Sequence, residues 1–578
     1  MRLLKKIYHQ YYNLIVKYIF PMILLLYPFL TLNQGVDVSD STYSFSNFLF
    51  FENMEGMWVV STYVSNVVGW LFTKLPFGTT ILGLKFYATL LVSGTVLLVY
   101  YMFCKWMPAW IAFIGEIIAV GFCWIPEGIL YNYLTYFLLT LGAVLLYQGL
   151  VEEKDSLLIL AGIALGANVF VRIPNLTEMA LVLGLWYYLA SKRRKMNVIV
   201  NKTMKCLVGY IIGVFIPLVG VICQFGFAGI VDMITGLTGI QSSDDTYSAF
   251  SMIISVIDAY MRTSKWVFLI VFGIAMGMVM FFFFRGKWET AKKIIYAAGM
   301  AVLLRFLWGR GMFSFRYYED YSSMYEWGMI GLYLIWIAGI YMLVSAKNSL
   351  EEKLWAVIVL VITAVTPLGS NNYTFQNLNN LFLAAPFALY TYVKLFRRKA
   401  GKGILSSITF PWKAMFAMLG SMILVQSIGF HSQFVFRDGM DGSKRSFLLE
   451  EPRSVAGMYT TEENGKRLLE LVQYIEKKEL QEKEVILYGD CPGLSFILNM
   501  PFAIGTAWPD LGSYAYETFV QDLEELEIAP VIIIRNVTGD EQSELKKTYL
   551  TNFMNSHGYV NIYNNGIYGV YVTQKETL

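Results

Sequence analysis

Histidine is nearly missing from this sequence: there are three in 578 residues, none near another, so a histidine-rich metal centre has no material. The five cysteines (Cys104, Cys123, Cys206, Cys223, Cys491) show no CxxC and no paired spacing. Four of them fall in or beside apolar stretches, which argues against a disulfide framework or a zinc site. Charge is scarce too: 15% of residues are Asp, Glu, Lys or Arg, against about 25% in soluble domains. A net charge of +3 is no footprint for a nucleic-acid partner. No GxGxxG, internal repeat or low-complexity tract occurs, and no nucleotide cofactor is expected. What fills the space is apolar: 56% of residues are hydrophobic and mean hydropathy is +0.51. A soluble fold cannot hide that much apolar surface, so a purely cytosolic protein is excluded.

Runs of about 17–25 apolar residues cross a bilayer as helices, and about thirteen such runs are legible here. They lie near 14–32, 81–103, 108–124, 130–151, 157–171, 176–191, 206–227, 265–284, 294–308, 327–344, 354–367, 381–396 and 408–430. The first carries Pro21 and Pro28 and lacks a small-residue cleavage site, so it reads as a retained anchor. Basic clusters at Arg2/Lys5/Lys6, Lys192–Lys195 with Lys202 and Lys205, Arg285–Lys293 and Lys394–Lys402 all fall on one side of these spans. Lys and Arg resist translocation, which puts the N-terminus in the cytoplasm and the chain after His431 outside a multi-pass cell-membrane protein.

Residues 1–430 therefore read as a transmembrane domain with a long acidic outer loop at 33–80, and 431–578 as an extracytoplasmic domain. Within the loop, 57–75 repeats apolar residues at helical spacing, as a helix lying along the interface would. Two further outer loops are expected at 228–262 and 309–326, the second rich in tyrosine. In the tail, strands are expected at Val485–Tyr488 and Val531–Ile534. Helices are expected at 464–480, 517–526 and 541–555, with a hairpin around Asn564-Asn565-Gly566. That alternation predicts a small α/β sandwich.

Asp37 and Asp40 follow the first span in Gln34-Gly35-Val36-Asp37-Val38-Ser39-Asp40, two carboxylates at the depth of a lipid phosphate. An ordinary solvated loop would carry the same residues, and the pattern alone leaves both readings open. Arg172, at the outer end of the fifth span, and Lys85, one turn into the second, are cations that either hold an anion or snorkel. Arg310 and Arg316 stand in the third outer loop, and Glu127 is either a second acidic site residue or a turn residue between spans three and four. Glu116, near the middle of span three, must face the bundle, with Arg305 in span nine as its expected partner in a buried pair.

An Asp just after helix one in a long acidic outer loop, many spans and an outer C-terminal domain together resemble the GT-C superfamily of membrane glycosyltransferases. Its members include protein O-mannosyltransferases, aminoarabinose transferases and oligosaccharyltransferase catalytic subunits. The resemblance continues in Asn132-Tyr133-Leu134-Thr135-Tyr136, in Ala161-Gly162-Ile163-Ala164-Leu165-Gly166 and in Val171-Arg172-Ile173-Pro174. Pro367-Leu368-Gly369-Ser370-Asn371-Asn372 is similar to uncharacterised bacterial members. The WWDYG motif of oligosaccharyltransferases is lacking, which disfavours that branch. The resemblance implies a GT-C-like polytopic α-helical fold. It further implies inverting transfer of a sugar from a polyprenyl-phosphate donor to a glycan or protein acceptor. Asp37 would be general base, with Asp40 supporting it or binding a divalent metal (Mg or Mn). Arg172, Lys85, Arg310 and Arg316 would be candidates for the donor phosphate. A transporter or flippase of lipid-linked sugars and a non-catalytic scaffold are the competing readings; the two similar halves common in transporters are not found.

Overall fold

The computed structural model describes residues 10–54, 56–124, 128–243, 249–283, 286, 288–317, 321–370, 372–397, 410–439, 442–536 and 541–574. The chain begins with α1 (Tyr12–Phe29), whose turns pass from α through a π stretch to 3-10 geometry at Pro28. The first loop is largely helical, with α2 (Asp40–Leu49), α3 (Gly56–Val60) and α4 (Tyr63–Thr73). Then come α5 (Ile81–Phe103), α6 (Ala109–Phe122), α7 (Leu130–Val151), α8 (Asp155–Asn168) and α9 (Val182–Ser191). After them follow α10 (Met196–Ser243), α11 (Ala249–Phe283), α12 (Glu289–Gly309), α13 (Met324–Val344), α14 (Leu350–Val365), α15 (Phe375–Asn379), α16 (Ala384–Arg397) and α17 (Trp412–Gln433).

Among the described residues seven helices are long and apolar enough to cross a membrane: α1, α5, α7, α10, α11, α13 and α17. The other expected spans correspond to helices that are shorter or, in α12, more charged. The expected outer loop at 228–262 is mostly helix. Apolar residues carry α10 on to Ser243 past a break at Gly226 (φ 65°, ψ −171°), and α11 resumes at Ala249. Both helices, with α12, turn Phe215, Phe268, Ile294 and Val302 outward, each more than half exposed. A helix satisfies its own backbone, so such a face is stable only in hydrocarbon, and the chain is a multi-pass membrane protein. The interfacial helix expected at 57–75 is met by α4. Its buried face is Tyr63, Ser65, Asn66, Gly69 and Thr73, while Leu71 and, just beyond, Leu75 and Phe77 stay exposed.

The Ala161–Gly166 segment has a mechanical reason. A Cβ on Gly162 would lie 2.1 Å from the Cys206 carbonyl oxygen, and one on Gly166 2.2 Å from that of Tyr210. Gly209 and Gly213 of α10 meet the backbone of Ile159 and Ile163 just as closely, so paired glycines four apart bring α8 and α10 into backbone contact.

After α17, β1 (Phe447–Leu448) and β2 (Tyr459–Thr460) form a two-stranded ladder, and α18 (Glu462–Lys477) starts on a Thr461 cap. Then follow β3 (Val485–Tyr488), α19 (Leu494–Leu498), α20 (Tyr516–Glu524), β4 (Val531–Arg535), α21 (Glu541–Ser556), β5 (Tyr559–Asn564) and β6 (Tyr568–Thr573). The sheet order is β3-β4-β6-β5, with β3 parallel to β4 and the rest antiparallel. The predicted hairpin turns at Gly566 (φ 87°). The tail is tied to the first loop by backbone: Tyr459 N–H donates to Asn33 (2.8 Å) and Gly35 N–H to Tyr459 (2.7 Å).

Gly166→Ala is expected to destabilise the protein by about 1–3 kcal/mol through overpacking. Thermal unfolding in detergent checks this against Gly299→Ala, where the added methyl meets nothing within 4 Å.

Candidate functional site

The start of α2 would expose free backbone donors, and Asp37 satisfies them. Its Oδ1 accepts from Ser39 N (2.9 Å) and Ser39 Oγ (2.5 Å), and its Oδ2 from Ser41 N (3.0 Å). Both oxygens of the expected base are thus engaged, and the residue is buried. Asp40, one turn on, has a different environment. Burial pushes its carboxyl up to about 6, the Asp37 and Asp490 charges push the same way, and the Arg437 guanidinium opposes them.

Arg437 and Asp490 come from the tail, a region the sequence reading left without site residues. Arg437 follows α17 and pairs with Asp490, its guanidinium stacked on Phe436 at 5.0 Å. Asp490 stands just past the C-terminal end of β3 in left-handed backbone (φ 58°), after Gly489 (φ 92°). A Cβ on Gly489 would lie 2.1 Å from the Arg535 carbonyl oxygen, so only glycine brings this turn against β4. Arg535, at the C-terminal end of β4, donates to the Asp490 carbonyl (3.2 Å), and Asp490 N–H donates to Asp510 Oδ2 (2.7 Å). Burial pushes Asp510 up to about 6 as well. The loop carrying Asp510 is pinned by the buried Lys546 ammonium, which donates to the carbonyls of Pro509 (2.9 Å), Leu511 (3.0 Å) and Tyr514. Trp508 of the same loop packs edge-on against Tyr43 of α2 at 5.4 Å. The carboxylates thus gather where the carboxyl ends of two parallel strands meet the first loop, the end of an α/β sheet that takes ligands. A cavity of about 20 Å³, room for one water, lies among Asp37, Arg437, Arg535 and Asn464.

The segments that carried the resemblance meet in a second polar cluster. Arg172 donates to Asn132 Oδ1 (3.3 Å) and to the Gly369 carbonyl (3.4 Å), with its guanidinium over Tyr131 at 5.5 Å. Asn168 donates to Thr135 O (3.1 Å) and Glu178 Oε2 (2.7 Å), and Asn175 to Thr135 Oγ1 (2.8 Å). Tyr136 donates to Gln376 Oε1 (2.7 Å). Between the clusters runs an aromatic chain: Phe436 against Trp124 (6.1 Å), and Trp124 against Phe375 (5.5 Å), next to Gln376.

The remaining sequence candidates are placed as follows. Lys85 is buried, its ammonium on the carbonyls of Gly35 (3.2 Å) and Gln34 (3.5 Å), so it holds the loop carrying Asp37 from behind. Arg310 and Arg316 have exposed side chains, Arg310 lying over Phe306 of its own helix. Glu127 lies outside the described residues. The expected Glu116–Arg305 pair does not form. Glu116 is fully buried on α6 with neither carboxylate oxygen hydrogen-bonded, whereas Arg305 is exposed on α12, which packs on α11 instead. Among the described residues no three His, Cys, Asp or Glu side chains converge as metal ligands. Asp40, the metal candidate, belongs to no such group among these residues.

Gly493, following the Asp490 turn, is seated on α2: its N–H donates to Val38 O (2.8 Å) and a Cβ there would lie 1.6 Å from Thr42 Oγ1. That hydroxyl donates to Asp37 O (2.6 Å), so Gly493→Ala is expected to break this bond. The loss expected is about 1–3 kcal/mol, checked as faster hydrogen exchange across residues 37–46.

No protein-family model matches the chain, and no curated protein matches it. Among solved structures it is similar to the Archaeoglobus fulgidus oligosaccharyltransferase. The form complexed with Zn and sulfate is 11% identical at a TM-score of 0.46, covering 96% of this chain and 73% of that one. The form tethered to an acceptor peptide containing the NVT sequon is 12% identical at a TM-score of 0.44, covering 98% and 74%. The apo form is 11% identical at a TM-score of 0.46, covering 98% and 75%. Superpositions this loose transfer neither an activity nor a residue role.

Proposed function

We propose that the protein is a glycosyltransferase that moves a sugar from a polyprenyl-phosphate donor to an extracytoplasmic acceptor, with inversion. The observation that carries this reading is a half-buried carboxyl, Asp40, set where the Asp37, Asp490 and Arg437 charges converge just past α17, with Arg437 itself paired to Asp490. The acceptor hydroxyl attacks the anomeric carbon and gives its proton to Asp40. The bond from that carbon to the phosphate oxygen breaks on the opposite face, and its electron pair leaves with the polyprenyl phosphate. The leaving group departs as an anion, so a cation serves it better than an acid. The base role thus moves from Asp37, whose oxygens are occupied, to Asp40, whose carboxyl titrates near working pH. Arg172 belongs to the second polar cluster, where it ties the start of α7 to the Gly369 turn.

A place for the lipid chain supports the reading. An apolar groove of about 290 Å³ is lined by Trp110, Ile114, Ile118 and Phe122, one face of α6, facing Gly328, Gly331 and Ile335 of α13. It extends to Phe396 and Phe416, so it runs along the helices for about 18 Å.

Asp40→Asn is expected to lower sugar transfer by about 100-fold or more, with polyprenyl-phosphate-sugar binding retained; transfer at the parent rate overturns the reading. Lipid translocation that survives the substitution, without transfer, favours a flippase. Transfer by the parent protein should rise with pH through about 6, since the base must be deprotonated. Arg437→Gln removes the charge opposing the rise and should move that limb to higher pH. Gly331→Trp, which fills the groove, is expected to weaken donor binding about tenfold by titration in nanodiscs.

A further inference from the structure

The tail carries a second concave surface at the end of the sheet opposite the acid cluster. The groove, of about 600 Å³, opens where α20 returns to the start of β4 and α21 hands over to β5. It lies in the size range of sites for small molecules and short polymers. One wall is aromatic. Tyr549 donates its hydroxyl to Glu524 Oε1 (3.0 Å) and Tyr559 donates to Pro530 O (3.0 Å), so both rings are fixed through their polar ends. Phe553 stands between Tyr559 (6.2 Å) and His557 (4.1 Å). The rim carries the exposed Asn552 carboxamide and Glu527 carboxylate, and among the described residues no lysine or arginine lines the groove.

We propose that this groove binds an uncharged glycan chain, the acceptor of the transferase. The inference rests on the transferase reading above and names the acceptor class it left open. Fixed ring faces offer flat apolar surfaces to the C–H face of a pyranose, while a carboxamide and a carboxylate on the rim take neighbouring hydroxyls. The described lining carries the Glu524 and Glu527 carboxylates and no basic side chain, so a phosphate or uronate would meet like charge, and the chain it fits is neutral. The five residues of β4 span about 17 Å, with the acid cluster at one end and the groove at the other. A ligand touching both is therefore several sugars long, its terminal hydroxyl at Asp40 and its body held by the tail.

The test uses the full chain in lipid nanodiscs, titrated with neutral hexasaccharides (chitohexaose, maltohexaose, mannohexaose), an oligogalacturonate and a lysine-rich peptide. At least one neutral hexasaccharide should bind. Tyr549→Ala and the surface change Asn552→Ala should each raise its Kd tenfold or more, and Gly299→Ala, on α12 with nothing within 4 Å of the added methyl, should leave it unchanged. No neutral binding, or binding indifferent to both groove variants, overturns the inference. Preferential capture of the peptide, lost in the same variants, overturns it in favour of a polypeptide ligand. Groove binding by a protein that transfers no sugar from any polyprenyl-phosphate donor tested would instead sink the transferase reading alone.

Discussion

A carboxylate removed from water must find donors or cations, and the junction of first loop and tail is organised around three that have done so. Asp37 takes the N-terminal donors of α2, Asp490 takes Arg437 and the Asp490 N–H takes Asp510. Each of these bonds lies within one half, Asp37 in the first loop and the other two in the tail. The halves are joined by different bonds, from Val36 N–H to Asp438 Oδ2 (2.8 Å) and from Gly493 N–H to Val38 O (2.8 Å). These set Asp40 of the first loop among the Arg437 and Asp490 charges of the tail, so docking is what gathers the carboxylates.

That coupling explains the chemical division of labour between two aspartates three residues apart. A carboxylate that accepts several hydrogen bonds is stabilised in its charged form and is a poor proton acceptor; one that is buried with fewer donors is held closer to its protonated form. On the proposed reading, Asp37 is the structural member, its two oxygens holding Ser39 and Ser41, and Asp40 is the proton acceptor. Substitution at either abolishes something, yet for different reasons. Loss at Asp37 disorders the helix start, while an isosteric change at Asp40 keeps the frame and removes the proton acceptor.

Much of the frame was legible in the sequence. Apolar runs mark the helices, and strand and turn signals place β3, β4 and the β5–β6 hairpin within a residue or two. Helix ends were harder. The apolar stretch after Phe227 continues α10 because its side chains face lipid, and a length rule read it as loop. The site was half legible: Asp37 and Asp40 stood out by position, but which one reacts depends on hydrogen bonds that spacing cannot reveal. Arg437 and Asp510 were invisible because each is an ordinary surface-type residue until the fold brings it under the first loop. Asp490 did have a signal: Tyr488-Gly489-Asp490 before a helix resembles a ligand-binding strand end, although no GxGxxG follows to make it a nucleotide site. The Glu116–Arg305 pair failed for the opposite reason. Two charges in apolar helices suggest each other by sign, but pairing needs helices that pack together, and α6 and α12 do not.

The composition change after residue 430 therefore marks a change of solvent, not a boundary between independent parts. Membrane helices can be cut from a tail only where few contacts cross. Here Tyr459 pairs with Asn33 and Gly35 through backbone, and Ser46 Oγ donates to Pro492 O (3.0 Å) while accepting from Phe496 N–H (3.2 Å). Asp438 accepts from Val36 N–H (2.8 Å) and from Asn464 (3.0 Å), bridging loop, linker and α18. Contacts of this kind are directional and short, so they fix orientation more strongly than an apolar interface of equal area would. A group held across them keeps its geometry only as well as the tail is seated, so on the proposed reading the tail governs the chemistry as much as the membrane helices do.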